Sequence, residues 1–219
     1  MQSEEFTTQH QNAGVYSAWG LSACLLIYLI TLTLGFISLD SADDPIGNPY
    51  FTILEVLILL MMPLMVLVMI VLHFYALKNR RIFSLFALVT MIISTTITSA
   101  VHFTVLSVSR HPSFAGMEWT ASLLSFEWPS IAYSLDILAW DWFFALSILT
   151  AAFVLRKGNL ESAVRILMLV SGSLSLLGLI GIPMSDMQVR LIGVVGYAVV
   201  TPPLFFLLGM LFKRTPVVD

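Results

Sequence analysis

Among the ionisable side chains that fall within long apolar stretches of this 219-residue chain, five could do chemistry: Glu55, His73, His102, Asp136 and Asp141. An ionisable group in such surroundings is costly unless it meets a partner or water, which makes each one a candidate for function. One histidine among carboxylates can hold a proton. The same nitrogen and oxygen donors also suit Zn²⁺ or another divalent cation, with His102 and Glu55 as the ligands to consider first. Thr98 lies one helical turn before His102 and adds a hydroxyl to the same face. The candidate ligand-binding set is therefore Glu55, Thr98, His102, Asp136 and Asp141, and no residue is assigned a catalytic role.

Depth along the helices sorts these groups. Glu55, Asp136 and Asp141 stand near one end of their apolar runs, and His102 about 8 Å inside that same end, at a rise of about 1.5 Å per residue. His73 is near the opposite end, roughly 20 Å in height from His102 on the same rise. The two histidines cannot clasp one haem iron or metal ion, and no cofactor is expected. Asp136 and Asp141 are five positions apart, about 140° around an α-helix, so they should not face the same point. Asp141 is expected to be buried with a partner such as a Trp indole N–H.

The elements that position these residues must be membrane spans. The chain is 58% hydrophobic and 11% charged, with a mean hydropathy of +0.95. An average soluble domain carries about 25% charged residues. The lone Cys24 excludes an internal disulfide or a thiolate cluster. Residues 1–14 hold Glu4 and Glu5 but no Lys or Arg, unlike a secretory signal, so the first apolar run is read as a retained span. Runs of about 20 apolar residues are long enough to cross a bilayer. Spans are predicted over residues 15–39, 52–77, 82–107, 131–155, 160–183 and 189–212, with an outer loop over 108–130. The fold class is an all-α, polytopic membrane bundle with six transmembrane helices in one domain covering 1–219.

Basic residues are sorted to one end of these spans: Lys78, Arg80, Arg81, Arg156, Lys157, Arg165, Lys213 and Arg214, against only Arg110 and Arg190 at the other. Asp40, Asp43, Asp44, Glu118, Glu127 and Asp186 lie at the opposite ends. By the positive-inside rule both termini are cytoplasmic. The basic ends should also attract anionic headgroups. Trp119, Trp128, Trp140 and Trp142 suggest an outer aromatic belt, with Trp19 near the inner boundary. Residues 118–128 suit a short interfacial helix.

Helical periodicity predicts three inward faces: Glu55, Met62, Val66, Met69 and His73; then Met91, Thr95, Thr98, Ser99 and His102; then Asp136, Phe143, Ser147 and Thr150. Pro63 and Pro202–Pro203 should kink their helices. Ser171, Ser175 and Gly178 in the fifth span, and Gly193 and Gly196 in the sixth, permit close helix approach, within the chain or to a partner. Met61, Met62, Met65 and Met69 read as adaptable core around Pro63.

The chain lacks a glycine-rich phosphate loop, His-Glu-x-x-His, Gly-x-Ser-x-Gly and Cys-x-x-Cys. Its basic residues serve as topology anchors, which excludes nucleic acid as a partner. From Ser99 to Leu155 it reads as a His-Phe-Thr helix end at His102–Thr104, a Trp-rich loop and an aromatic fourth span. That layout resembles the uncharacterised six-span integral membrane proteins of bacteria, a resemblance that carries no activity with it. The absence of an Asn-x-Ser/Thr acceptor fits a bacterial inner membrane. The reading favoured is a multi-pass membrane protein that binds or transports a small ligand through an outward-facing polar pocket between spans two, three and four. The alternatives are a metal-assisted membrane hydrolase using His102 with carboxylates, and an accessory or scaffold subunit binding a partner through spans five and six.

Overall fold

A computed structural model describes residues 6–41, 44–109, 111–114, 117–156 and 158–218, without the side chain of Glu118. Glu4, Glu5, Asp43, Arg110, Gly116 and Lys157 of the sequence reading lie outside the described residues. Among those described there are helices and no strand, and six helices are long and apolar enough to cross a membrane. The spans are α1 (Thr8–Ile37), α2 (Tyr50–Tyr75), α3 (Arg81–Val108, entered by a 3₁₀ turn at Lys78–Arg80), α5 (Ile131–Val154), α6 (Asn159–Met184) and α7 (Met187–Arg214). A short α4 (Glu118–Leu124) lies in the connection before α5 and ends sooner than the predicted 118–128.

Local chemistry sets the helix starts. Thr7 and His10 form a capping box on α1, and the Ser130 hydroxyl accepts from the Tyr133 N–H at 3.1 Å to open α5. Between α6 and α7 the chain reverses through Ser185, in the left-handed region at φ 53°, and Asp186 caps α7 by accepting from the Gln188 N–H at 2.9 Å. These short links make neighbours antiparallel. The spans close into a ring in chain order, with α7 returning to pack on α1. Gln11 in α1 holds that closure by donating to the Phe212, Lys213 and Thr215 carbonyls.

The core of the ring is built from Leu21, Met61, Met65, Met69, Leu72, Met91, Phe144, Met168, Phe205 and Phe212, all fully buried. Outward faces are apolar too, as at Ile30, Ile82, Phe103 and Ile166, because lipid tails replace water there. Pro63 is carried inside an unbroken α2, whereas Pro202 and Pro203 fall in the first turn after a π segment, Val195–Val199. There the missing proline N–H groups remove little. The small residues of α6 and α7 meet each other inside the chain. Ser171 donates to the Gly196 carbonyl at 2.8 Å, and a Cβ on Gly178 would stand 2.8 Å from the Gly193 Cα.

A second π segment, Leu138–Phe144, interrupts α5. It is pinned to α3 by Ser94, which donates to the Ala139 carbonyl at 2.8 Å, and below it Ser147 donates to the Ala87 carbonyl at 2.7 Å. Wider turns rotate the residues that follow, and two expectations change as a result. Phe144 is fully buried and Phe143 only partly so. Trp140 leaves the expected outer belt and turns inward, 5.0 Å from the Tyr197 ring and 5.3 Å from Phe144.

Candidate functional site

His102 sits on the buried face of α3, between α2 and α5. Its Nδ1 is 2.8 Å from Glu55 Oε2 and its Nε2 is 3.3 Å from Asp136 Oδ1. Two contacts of this kind need two protons. An imidazolium supplies both; a neutral ring supplies one and a carboxylic acid the other. In either form the triad carries one net negative charge. With both ring nitrogens facing carboxylate oxygens, no imidazole lone pair points at a space a metal could take. Among the described residues no group of three His, Cys, Asp or Glu side chains has metal-binding geometry.

The network continues through a residue that the sequence reading had placed among the topology charges. Arg190, in the first turns of α7 and 4% exposed, points into the bundle. Its Nη2 lies 3.8 Å from Asp136 Oδ2 and its Nε donates to Asp141 Oδ2 at 3.3 Å. Nη1 donates to the Tyr133 hydroxyl at 2.8 Å and Nη2 to the Tyr197 hydroxyl at 3.0 Å. The guanidinium also lies over the Tyr133 ring, 4.6 Å from its centroid, a favourable cation–π distance. One sequence signal pointed here: Arg190 stands at the end of the spans where Arg110 is the only other basic residue of the sequence. An arginine against the charge trend is better explained by a buried partner than by an anchor.

Asp136 and Asp141 thus share one guanidinium, contrary to the expected 140° separation. The π segment that begins at Leu138 brings residues five apart more nearly over one another, and the length of the arginine spans what remains. The partner of Asp141 is this arginine, not an indole. Its other oxygen, Oδ1, has no hydrogen-bond partner among the described residues and is fully buried in a slot between Gly178 and Gly193. A Cβ on Gly193 would collide with it. Thr98 Oγ1 is likewise buried and unpartnered among those residues.

All residues of the candidate ligand-binding set are buried. Glu55, His102, Asp136 and Asp141 form one connected cluster with Arg190, and Thr98 lies a turn from His102 without bonding to it. The cluster is covered in this structure, with His102 only 4% exposed. The Phe126 ring, from the connection between α4 and α5, stacks on His102 at 4.9 Å and packs with Val101, Val105 and Ala132. With Asp141 ionised the five groups sum to one negative charge, and two buried oxygens stand without a hydrogen-bond partner among the described residues.

Fold and site together define a helix bundle with six helices long and apolar enough to cross a membrane, as in a multi-pass membrane protein, around a buried, capped charge network. Compared with known proteins, the chain matches no family model, no curated protein and no solved structure.

Proposed function

We propose that this protein binds, and by rearrangement of the same site transports, a small cationic solute at the Glu55–His102–Asp136–Arg190–Asp141 network. The observation that carries the reading is a buried cluster of three carboxylates and two cationic-type side chains, net negative when Asp141 is ionised, with two buried oxygens, Asp141 Oδ1 and Thr98 Oγ1, that have no partner among the described residues. A structural network of this cost would be expected to satisfy all of its members. In the reading offered here Phe126 is the cover that moves, and the π segments in α5 and α7 are the joints. The topology that goes with it sets the basic ends and both termini in the cytoplasm of a bacterial cell, so the covered site opens outward through the inner membrane. A metal-assisted hydrolase has less support, because both His102 nitrogens are engaged by carboxylates. A scaffold that recruits a partner through α6 and α7 also has less support, because their small residues are spent on one another.

The test is thermal unfolding of the purified protein in detergent with a panel of small alkylammonium ions, and matching carboxylates as controls. One or more of the ammonium ions should raise Tm while the carboxylates do not. Glu55→Gln and Asp141→Asn should each lose that rise. Stabilisation by carboxylates alone, or a rise retained in both variants, would overturn the assignment.

A further inference from the structure

At the opposite end of the bundle from the network, two arginines from different elements converge. Arg80, in the turn before α3, donates through Nη1 to the Phe153 carbonyl at 3.3 Å and to the Leu155 carbonyl. Arg165 of α6 donates through Nε to the Ala152 carbonyl at 3.2 Å, and through Nη2 to the Arg156 carbonyl at 3.3 Å and to the same Leu155 carbonyl. These are the carbonyls of the last turn of α5 and of the two residues that follow it, which have no partner within that helix. The capping explains part of each guanidinium and leaves the rest. Arg80 Nε and Nη2, and Arg165 Nη1, bond to nothing among the described residues.

Two like charges that share one acceptor call for a counter-ion. No described carboxylate supplies it: Arg80 and Arg165 form no ion pair among the described residues. Glu161 stands one turn before Arg165, at the spacing that ordinarily pairs on a helix. It is turned away toward α2, where its Oε1 accepts from the Tyr75 hydroxyl at 3.4 Å. Beside the two guanidiniums lies a cavity of about 330 Å³ lined by Arg80, Phe83, Ala152, Phe153, Arg165 and Leu169. Phe83 and Phe153 pack at 5.5 Å, and with Leu169 they present an open apolar wall to the lipid-facing surface.

We propose that this groove between α3, α5 and α6 is a binding site for an anionic phospholipid. The phosphate engages the unspent N–H donors of Arg80 and Arg165, and an acyl chain runs over Phe83, Phe153 and Leu169. Planar guanidinium forks match phosphate oxygens, and the basic ends of the spans lie at headgroup height. The apolar wall is what commits the site to a lipid, since a free phosphate makes no use of it.

Native mass spectrometry tests the site on protein released from micelles holding equimolar phosphatidylglycerol and phosphatidylcholine, with inorganic phosphate as a separate arm. At about 1 kcal/mol for each of the two arginines near an anionic surface, phosphatidylglycerol should be retained over phosphatidylcholine by about thirtyfold. Arg165→Gln and Arg80→Gln should each cut the ratio to about fivefold, while Lys213→Gln/Arg214→Gln keeps it. Should either arginine variant fail to fold because α5 loses its cap, Phe153→Glu serves instead. At 55% exposure it sets a carboxylate beside both cations without removing either, and it should likewise lower the preference. The proposal is overturned by equal retention of the two lipids in the unaltered protein, by a preference that is undiminished in the folded variants, or by inorganic phosphate displacing the lipid fully. Because the cation network is untouched in every variant, failure here leaves the proposed function standing.

Discussion

Replacing Arg190 with Gln is the most demanding test of the buried network. The substitution keeps hydrogen-bonding capacity and removes the charge. It strips Asp141, which is 0% exposed, of the donor 3.3 Å from its Oδ2, and Asp136 of the cation 3.8 Å away. Removing one member of a buried ion pair typically costs about 3–5 kcal/mol, since the remaining charge is left uncompensated. Ordinary hydrogen bonds between membrane helices average only about 0.6 kcal/mol, so the two cases are separable. Reversible unfolding in mixed dodecylmaltoside–SDS micelles, followed by circular dichroism, measures the difference. Arg190→Gln should lose about 3–5 kcal/mol. Asp141→Asn in the Arg190→Gln background should then cost little or restore stability, with a coupling toward the upper end of the roughly 0.5–3 kcal/mol seen for contacting residues. A loss under about 1 kcal/mol for Arg190→Gln, on the scale of a neutral bond, would refute the reading that Arg190 neutralises the network.

Gly193→Ala should destabilise by about 1–3 kcal/mol in the same assay, because the added Cβ meets the Gly178 backbone and the Asp141 carboxylate, which Arg190 holds in place; a neutral result would mean that α6 and α7 are farther apart. Phe126→Ala should remove the cover 4.9 Å from His102 and raise its rate of modification by diethyl pyrocarbonate several-fold, with His111 unchanged as the internal control. The same variant should lose about 0.5–1.5 kcal/mol of stacking. Ser94→Ala and Ser147→Ala each delete one bond between α3 and α5, at 2.8 and 2.7 Å, and each should cost about 0.6 kcal/mol, additively when combined.

The spans were legible because apolarity is a local property. Residues 52–77 and 82–107 differ from α2 and α3 by a residue or two at each end, and the first helix begins earlier, at Thr8, since Thr7 and His10 cap it before the apolar run starts. Glu55, His102 and Asp136 were also within reach, as the 3.6-residue period places each on the face that carries small and polar neighbours. That argument assumes a regular helix. It failed at Asp141, at Phe143 and at Trp140, which lie in the one stretch of α5 where the turn widens. No residue type in Leu138–Phe144 announces a π turn; it is held by Ser94 of another helix.

The sequence by itself determined that this chain is a membrane bundle of six helices, which ends carry the positive charge, and which polar residues reach inward. Composition and period are enough for that, because each helix satisfies its own backbone and shows its solvent preference residue by residue. Only the tertiary structure decided who meets whom: that Arg190 serves Asp136 and Asp141, that Glu55 and Asp136 take opposite nitrogens of His102, and that Arg80 and Arg165 share the carbonyl of Leu155. Those pairings depend on the relative rotation and height of helices far apart in the chain, such as the 49 residues between Asp141 and Arg190. Nothing local to either residue encodes that distance.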